Sequence, residues 1–341
     1  MARFARALRA LPKAHLHLHL EGSMRLSTVF ELAGRASRST PAFHPGGGFD
    51  RFLAAYDSVC DLIRSPDDVR RLFVEVAEDA GRDGCVWIEP HVYPPLLSGH
   101  LGDPVTILET MVEAAAAAAR STGVGIGLLV SADRGGGPDE AERWAKLAAR
   151  FSNRGVTTFG LAGNESRYPA GPFARAFSVA RDAGLLCAPH AGELAGPDAV
   201  WETLAALKPD RLAHGVRIAE HRALMDAVTD RGIACDVCPT SNVVLGVCRS
   251  LSDHPLPRLV SGGVPVSLNA DDPLFFDTSL LAEYERARSD LALSDQVLAR
   301  IALTSVEASA APAEVKASAR TGITAWLDAD IERDIAGGRR G

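Results

Sequence analysis

The sequence predicts an α/β fold, a single TIM-type (β/α)8 barrel with a helical lid inserted after its first strand. Short β-rich runs alternate with helical patterns from residue 14 onward. Eight such alternations, counting the C-terminal helices, fit a closed parallel sheet better than an open one. No GxGxxG follows an early strand, as a dinucleotide-binding open sheet would require. At 341 residues the chain lies within the range of one barrel domain, taken here as 1–341.

The N-terminal MARFARALRALPK alternates basic and apolar residues and reads as a short amphipathic helix. Strand 1 is AHLHLHL, in which period-2 geometry turns His15, His17 and His19 to one face. Residues 37–73 then break the alternation with a Gly/Pro loop and an amphipathic helix, and form the lid over the C-terminal mouth. Strands 2 to 8 are CVWIEPHVY, VGIGLLVSA, GVTTFGLAG, GLLCAPHAG, RLAHG, GIACDVCP and GVPVSLNA. Helices are expected at 104–121, 138–152, 172–183, 197–207 and 219–231. Gly-Pro pairs at 137–138, 171–172 and 196–197 supply a proline suited to the first turn. Gly184 and Gly232 stand where helices end before strands. The Ala- and Arg-rich tail, 308–341, reads as surface helix.

Composition narrows the partners. Hydrophobic residues make up 47% of the chain and charged residues 23%, enough apolar material for a large core. A net charge of -7 argues against nucleic acid or an anionic membrane as partner and leaves a small neutral or cationic molecule open. No apolar run is suited to a membrane span. Six cysteines without a secretory signal read as reduced thiols, so a cytoplasmic location is expected.

In a barrel, chemistry collects where strands end at the C-terminal face. The unusual polar residues fall there: His17, His19 and Glu21 after strand 1, LAGNE after strand 4, His190 and Glu193 after strand 5, His214 after strand 6, Asp271 and Asp272 after strand 8. Each has a bland reading as a cap or a satisfied buried group. The set has none, because five strands would need the same coincidence at the same end. Two histidines on strand 1, one on strand 5 and an aspartate on strand 8 form a nitrogen/oxygen donor set suited to one zinc with an open position. His15 points the same way but lies deeper, away from the mouth.

LHLHLEG, HAGE, AHG, CPTSN and SLNADDPLFF, in this order and spacing, resemble the adenosine deaminase family of the amidohydrolase superfamily. The resemblance implies a mononuclear Zn2+ barrel that hydrolyses the 6-amino group of a purine and releases ammonia. It implies His17, His19, His190 and Asp271 as metal ligands and Glu193 as the acid that protonates purine N1. By the same resemblance His214 orients the attacking hydroxide, Asp272 bonds N7, the Gly163 N–H reaches N3 and Glu21 binds the sugar 5′-hydroxyl. An acid at Glu21 would repel a 5′-phosphate, so adenosine or 2′-deoxyadenosine leads, with adenine or aminodeoxyfutalosine as alternatives. An inert purine-binding protein is the reading of another class, and retention of the whole constellation argues against it. His15 departs from the family, which commonly has an acid there, as do Gly160 and Asn164 in GLAGNE. A second zinc or a redox pair at Cys235 and Cys238 is the weaker metal reading, and no lysine after strand 4 offers a bridging carbamate.

Overall fold

The computed structural model describes residues 6–41, 43 and 48–329. Eight parallel strands run in chain order: β1 Lys13–His19, β2 Cys85–Val92, β3 Leu128–Asp133, β4 Val156–Ala162, β5 Leu186–Ala191, β6 Arg211–His214, β7 Ala234–Val237 and β8 Val266–Leu268. A two-residue segment, Gly125–Ile126, precedes β3 and pairs with β2. The ends of the sheet meet: Leu18 bridges Asp271, the His19 N–H donates to the Asp271 carbonyl at 2.9 Å, and the Asp271 N–H returns to that of His17 at 3.1 Å. The result is a nearly closed TIM barrel.

β1 is buried on both faces, as strands of a covered parallel sheet are. Ala14 and Leu16 pack outward against Val306 and Ala319 of the surrounding helices. The alternation therefore sorts barrel interior from helix layer, not water from core. Below the histidines the interior carries a charged floor. Arg211 on β6 reaches Glu89 on β2 at 2.7 Å and Asp236 on β7 at 2.9 Å, with all three side chains buried. Trp87, Thr158 and Ser267 donate to the two carboxylates, which satisfies them further.

Three expected segments differ from what forms. Of the N-terminal helix, a 3-10 turn at Leu8–Ala10 is seen, because the chain is already extended at Lys13; residues 1–5 lie outside the described residues. Within 37–73, helix α1 (Leu26–Arg35) precedes the insertion and α2 (Phe49–Cys60) crosses the mouth; 42 and 44–47 lie outside the described residues. The expected boundary at 73 falls inside α3, Pro66–Arg82, started by a Ser65/Asp68 capping box. α3 packs along the helix Pro104–Thr122, so 66–73 belong to the outer helix layer. In the tail, the helix Ala313–Asp328 is docked through Trp326, whose Nε1 donates to the Ala7 carbonyl at 2.9 Å. Residues 330–341 of that tail lie outside the described residues.

Cys235 and Cys238 are buried free thiols whose pKa values burial pushes up, and neither belongs to a candidate metal cluster among the described residues. No described helix is long and apolar enough to cross a membrane.

Candidate active site

Three groups of side chains could each hold a cation, and they overlap: His17, His19, His91 and His190; His17, His214 and Asp271; His19, Asp271 and Asp272. Three strands, β1, β5 and β8, deliver the expected ligands to one region. Asp271 Oδ1 lies 3.1 Å from His17 Nε2 and 3.3 Å from His19 Nε2. Ser241 donates to the other oxygen, Oδ2, at 2.6 Å, which leaves Oδ1 turned to the histidines. His190 Nδ1 is 3.0 Å from the Leu161 carbonyl; a carbonyl only accepts, so the ring proton sits on Nδ1 and Nε2 presents its lone pair. Both ring nitrogens of His17 are buried without a hydrogen-bond partner. Such orphaned acceptors are costly unless a cation takes them up. Three imidazoles and a carboxylate fit a single zinc.

The backbone is strained where it aims these groups. His214 and Asp271 adopt φ of 64° and 60°, a region most residues avoid and which clusters at functional sites. Gly163 has φ of 93°, and a Cβ there would stand 2.4 Å from Asp133 Oδ1. A Cβ on Gly22 would fall 1.7 Å from Asp272 Oδ1. Gly160 is packed against Leu129, Ser131 and the Ala188 carbonyl and has no room for a larger side chain.

Glu193 sits beside the cluster, its Oε1 3.5 Å from His214 Nε2. Burial, then the neighbouring Asp271, Glu165 and Asp272, push its pKa well above the ordinary carboxyl range, which favours its protonated form. Burial and the charge of Asp271 likewise raise Asp272, whose Oδ1 is buried without a partner. Asp271 itself is held well below the carboxyl range, because the His17 and His19 contacts outweigh burial. His15 lies outside the cluster; its Nε2 accepts the Ala270 N–H at 3.0 Å, and burial followed by the charge of His17 lowers it to about 3.

A cavity of about 210 Å³ opens from these residues toward α2. Gly163, His190, Glu193, His214, Asp271 and Asp272 form its polar base, with Phe49, Phe52, Leu53 and Tyr56 of α2 opposite. Glu21, expected to meet a sugar hydroxyl, is not on the cavity wall. It is 1% exposed, and the Tyr56 hydroxyl, 2.8 Å from its Oε2, stands in front of it.

Sequence reasoning missed His91 and Glu165. His91 ends β2, the same strand-end signal used elsewhere; its ring stacks on His17 with centroids 4.7 Å apart. The Glu165 carboxylate accepts the N–H groups of Gly192, Glu193 and Ala195 at 3.0, 2.6 and 2.7 Å, and so holds the loop that carries Glu193.

The adenosine deaminase family model matches residues 12–326. A putative adenosine/adenine deaminase of Streptomyces virginiae is 45% identical, covering 95% of this chain and 98% of that protein. An adenine deaminase of Mesorhizobium japonicum is 36% identical, covering 90% and 96%. Among solved structures, the adenine deaminase of Arthrobacter aurescens superposes with a TM-score of 0.88 at 26% identity, over 93% of this chain and 99% of that one. An amidohydrolase of Burkholderia ambifaria with bound zinc gives 0.85 at 26% identity, over 94% and 92%. With the match running almost end to end, the chain is an aminohydrolase and belongs to the adenosine deaminase family of the amidohydrolase superfamily.

Proposed function

We propose that the protein is a zinc-dependent deaminase of an uncharged 6-aminopurine, with free adenine ahead of adenosine. The observation that carries the reaction is Glu193, its pKa raised by burial, beside the overlapping groups that bring His17, His19, His190 and Asp271 together. Those four residues would hold the ion. Zinc, when bound, supplies a water-derived nucleophile at neutral pH by lowering water's pKa from about 15.7 toward about 7.

The chain's own groups account for the rest. Addition at C6 pushes negative charge onto ring N1, and Glu193 delivers its proton there. His214 presents Nε2 to the attacking oxygen and steers it toward C6. Asp272, whose pKa burial raises, donates to N7 in its protonated form, and the Gly163 N–H meets N3 where no Cβ crowds it. Glu165 fixes the Glu193 loop through three backbone N–H groups. Phe49, Phe52 and Leu53 cover the cavity as a lid and exclude bulk water.

The cavity wall carries Asp57 and Asp133 and, among the described residues, no Lys or Arg, which disfavours a phosphate or carboxylate on the substrate. Adenine is favoured because Glu21 sits behind Tyr56 and offers no direct hold on a sugar. The adenine deaminase of Mesorhizobium japonicum supports the same choice.

The test is ammonia release by zinc-loaded protein on adenine, adenosine, 2′-deoxyadenosine, AMP and aminodeoxyfutalosine, with Asp271→Ala as the metal-free control. Adenine is expected to exceed adenosine in kcat/KM by about tenfold or more. Adenosine turnover that is better and selectively lost in Glu21→Gln would restore the nucleoside reading. No ammonia from any of the five would overturn the function.

A further inference from the structure

Five imidazoles, four of them buried, crowd one point, and position alone does not separate ligand from hydrogen-bond donor. His214 shares a possible donor set with His17 and Asp271 as closely as the expected ligands share theirs. In a neutral imidazole one nitrogen carries the proton and the other a lone pair, so the partner of Nδ1 decides what Nε2 can do.

For His214 that partner is Asn242, whose Nδ2 lies 3.2 Å from Nδ1. An amide can face either way, so this contact leaves the choice open. Asn242 Oδ1 lies 3.1 Å from His254 Nε2, which is equally ambivalent. The ambiguity ends one step further out. The main-chain N–H of Leu256 points at His254 Nδ1 at 3.1 Å, and a backbone N–H only donates. His254 therefore accepts on Nδ1 and, being neutral, carries its proton on Nε2. That proton goes to the Asn242 oxygen, the Asn242 amide donates to His214 Nδ1, and the His214 proton is left on Nε2. Burial, which lowers the His254 pKa to about 4, keeps the chain in this neutral form. The amide itself is anchored: the Asn242 N–H donates to the Cys238 carbonyl at 3.0 Å, and the Asn242 carbonyl accepts from Cys248 at 2.9 Å.

We propose that Asn242 and His254 are positioning residues that hold the His214 proton on Nε2, making this imidazole a donor into the site and barring it from ligating the metal. His190, with its proton on Nδ1, is the opposite tautomer in the same cluster. What the His214 donor does for turnover rests on the deaminase reading; the tautomer does not.

The test is nitrogen NMR of the zinc-loaded protein with 15N-labelled histidine. His214 is expected to show a protonated, pyrrole-type Nε2 and a pyridine-type Nδ1, and His190 a protonated Nδ1. In Asn242→Asp a carboxylate accepts from both sides, so the His214 proton moves to Nδ1 and the Nε2 signal becomes pyridine-type. In the same variant kcat falls by about 10²-fold or more while KM stays within about threefold. His254→Phe scrambles the His214 signals and lowers kcat; His254→Gln, whose amide offers an N–H in the same place, recovers both. A wild-type His214 with a pyridine-type Nε2 overturns the proposal, and so does an Asn242→Asp protein with unchanged signals and kcat. If Asn242→Asp does not fold, the wild-type spectrum and the His254 pair decide. The stated tautomer in a protein that deaminates no purine would fell the deaminase reading alone.

Discussion

Asn269 and His17 are joined across the barrel's closing seam: the Asn269 side-chain oxygen accepts the His17 N–H at 3.0 Å and that of Leu16 at 2.7 Å. β8 ends at Leu268, so a side chain stands in for ladder bonds where the proposed metal ligands of β1 emerge. Asn269→Ala leaves two buried N–H groups unpaired, at about 1–3 kcal/mol each. Urea unfolding should show that loss, and a chelator should strip zinc faster than from wild type. An unchanged unfolding midpoint would mean β1 is held by other contacts.

In the proposed reaction Glu193 supplies a proton and no ligand. Glu193→Gln is expected to keep its full zinc content by elemental analysis while kcat falls by about 10²–10⁴-fold. Near-wild-type turnover with zinc bound would remove Glu193 from the chemistry.

His254 gives stability a pH dependence with a definite sign. Its pKa falls from 6.5 to about 4 on folding, so the native state disfavours the proton. The stabilisation is fully present above pH 6.5 and is lost as pH falls toward 4. At pH 5 the loss is about 2 kcal/mol. Between pH 7 and pH 5 the wild-type unfolding free energy should therefore drop by about that much more than His254→Gln. Parallel pH profiles would contradict the buried neutral ring.

The charged floor is the fold's most exposed weakness to mutation. Arg211→Met strands the Glu89 and Asp236 carboxylates without their cation, at a cost of about 3–5 kcal/mol. Thermal unfolding reads this directly, and a midpoint within a degree or two of wild type would show that the ion triad is dispensable.

The strand order and the gathering of polar residues at one end of the barrel were legible because each rests on a local rule: alternation on one strand, or a polar residue where a strand ends. What escaped depends on pairings distant in sequence. Glu165 reaches the Glu193 N–H 28 residues on, and Arg211 meets Glu89 across 122. The Tyr56 hydroxyl on Glu21 is another such pairing, 35 residues apart. CPTSN was visible as a motif, but the role of its Asn242 needs His254 and a backbone N–H beyond it. Of the expected N-terminal helix the described residues form a 3-10 turn, because β1 begins at Lys13.

The acidic mouth has a metabolic corollary. Most cellular adenine rings travel with phosphates attached, and under the proposed reading a wall bearing Asp57 and Asp133 without a described cation would turn those away. Discrimination by charge at the entrance needs no editing step. It would let such an enzyme salvage scarce free bases amid a large excess of adenylates without draining the energy currency of the cell.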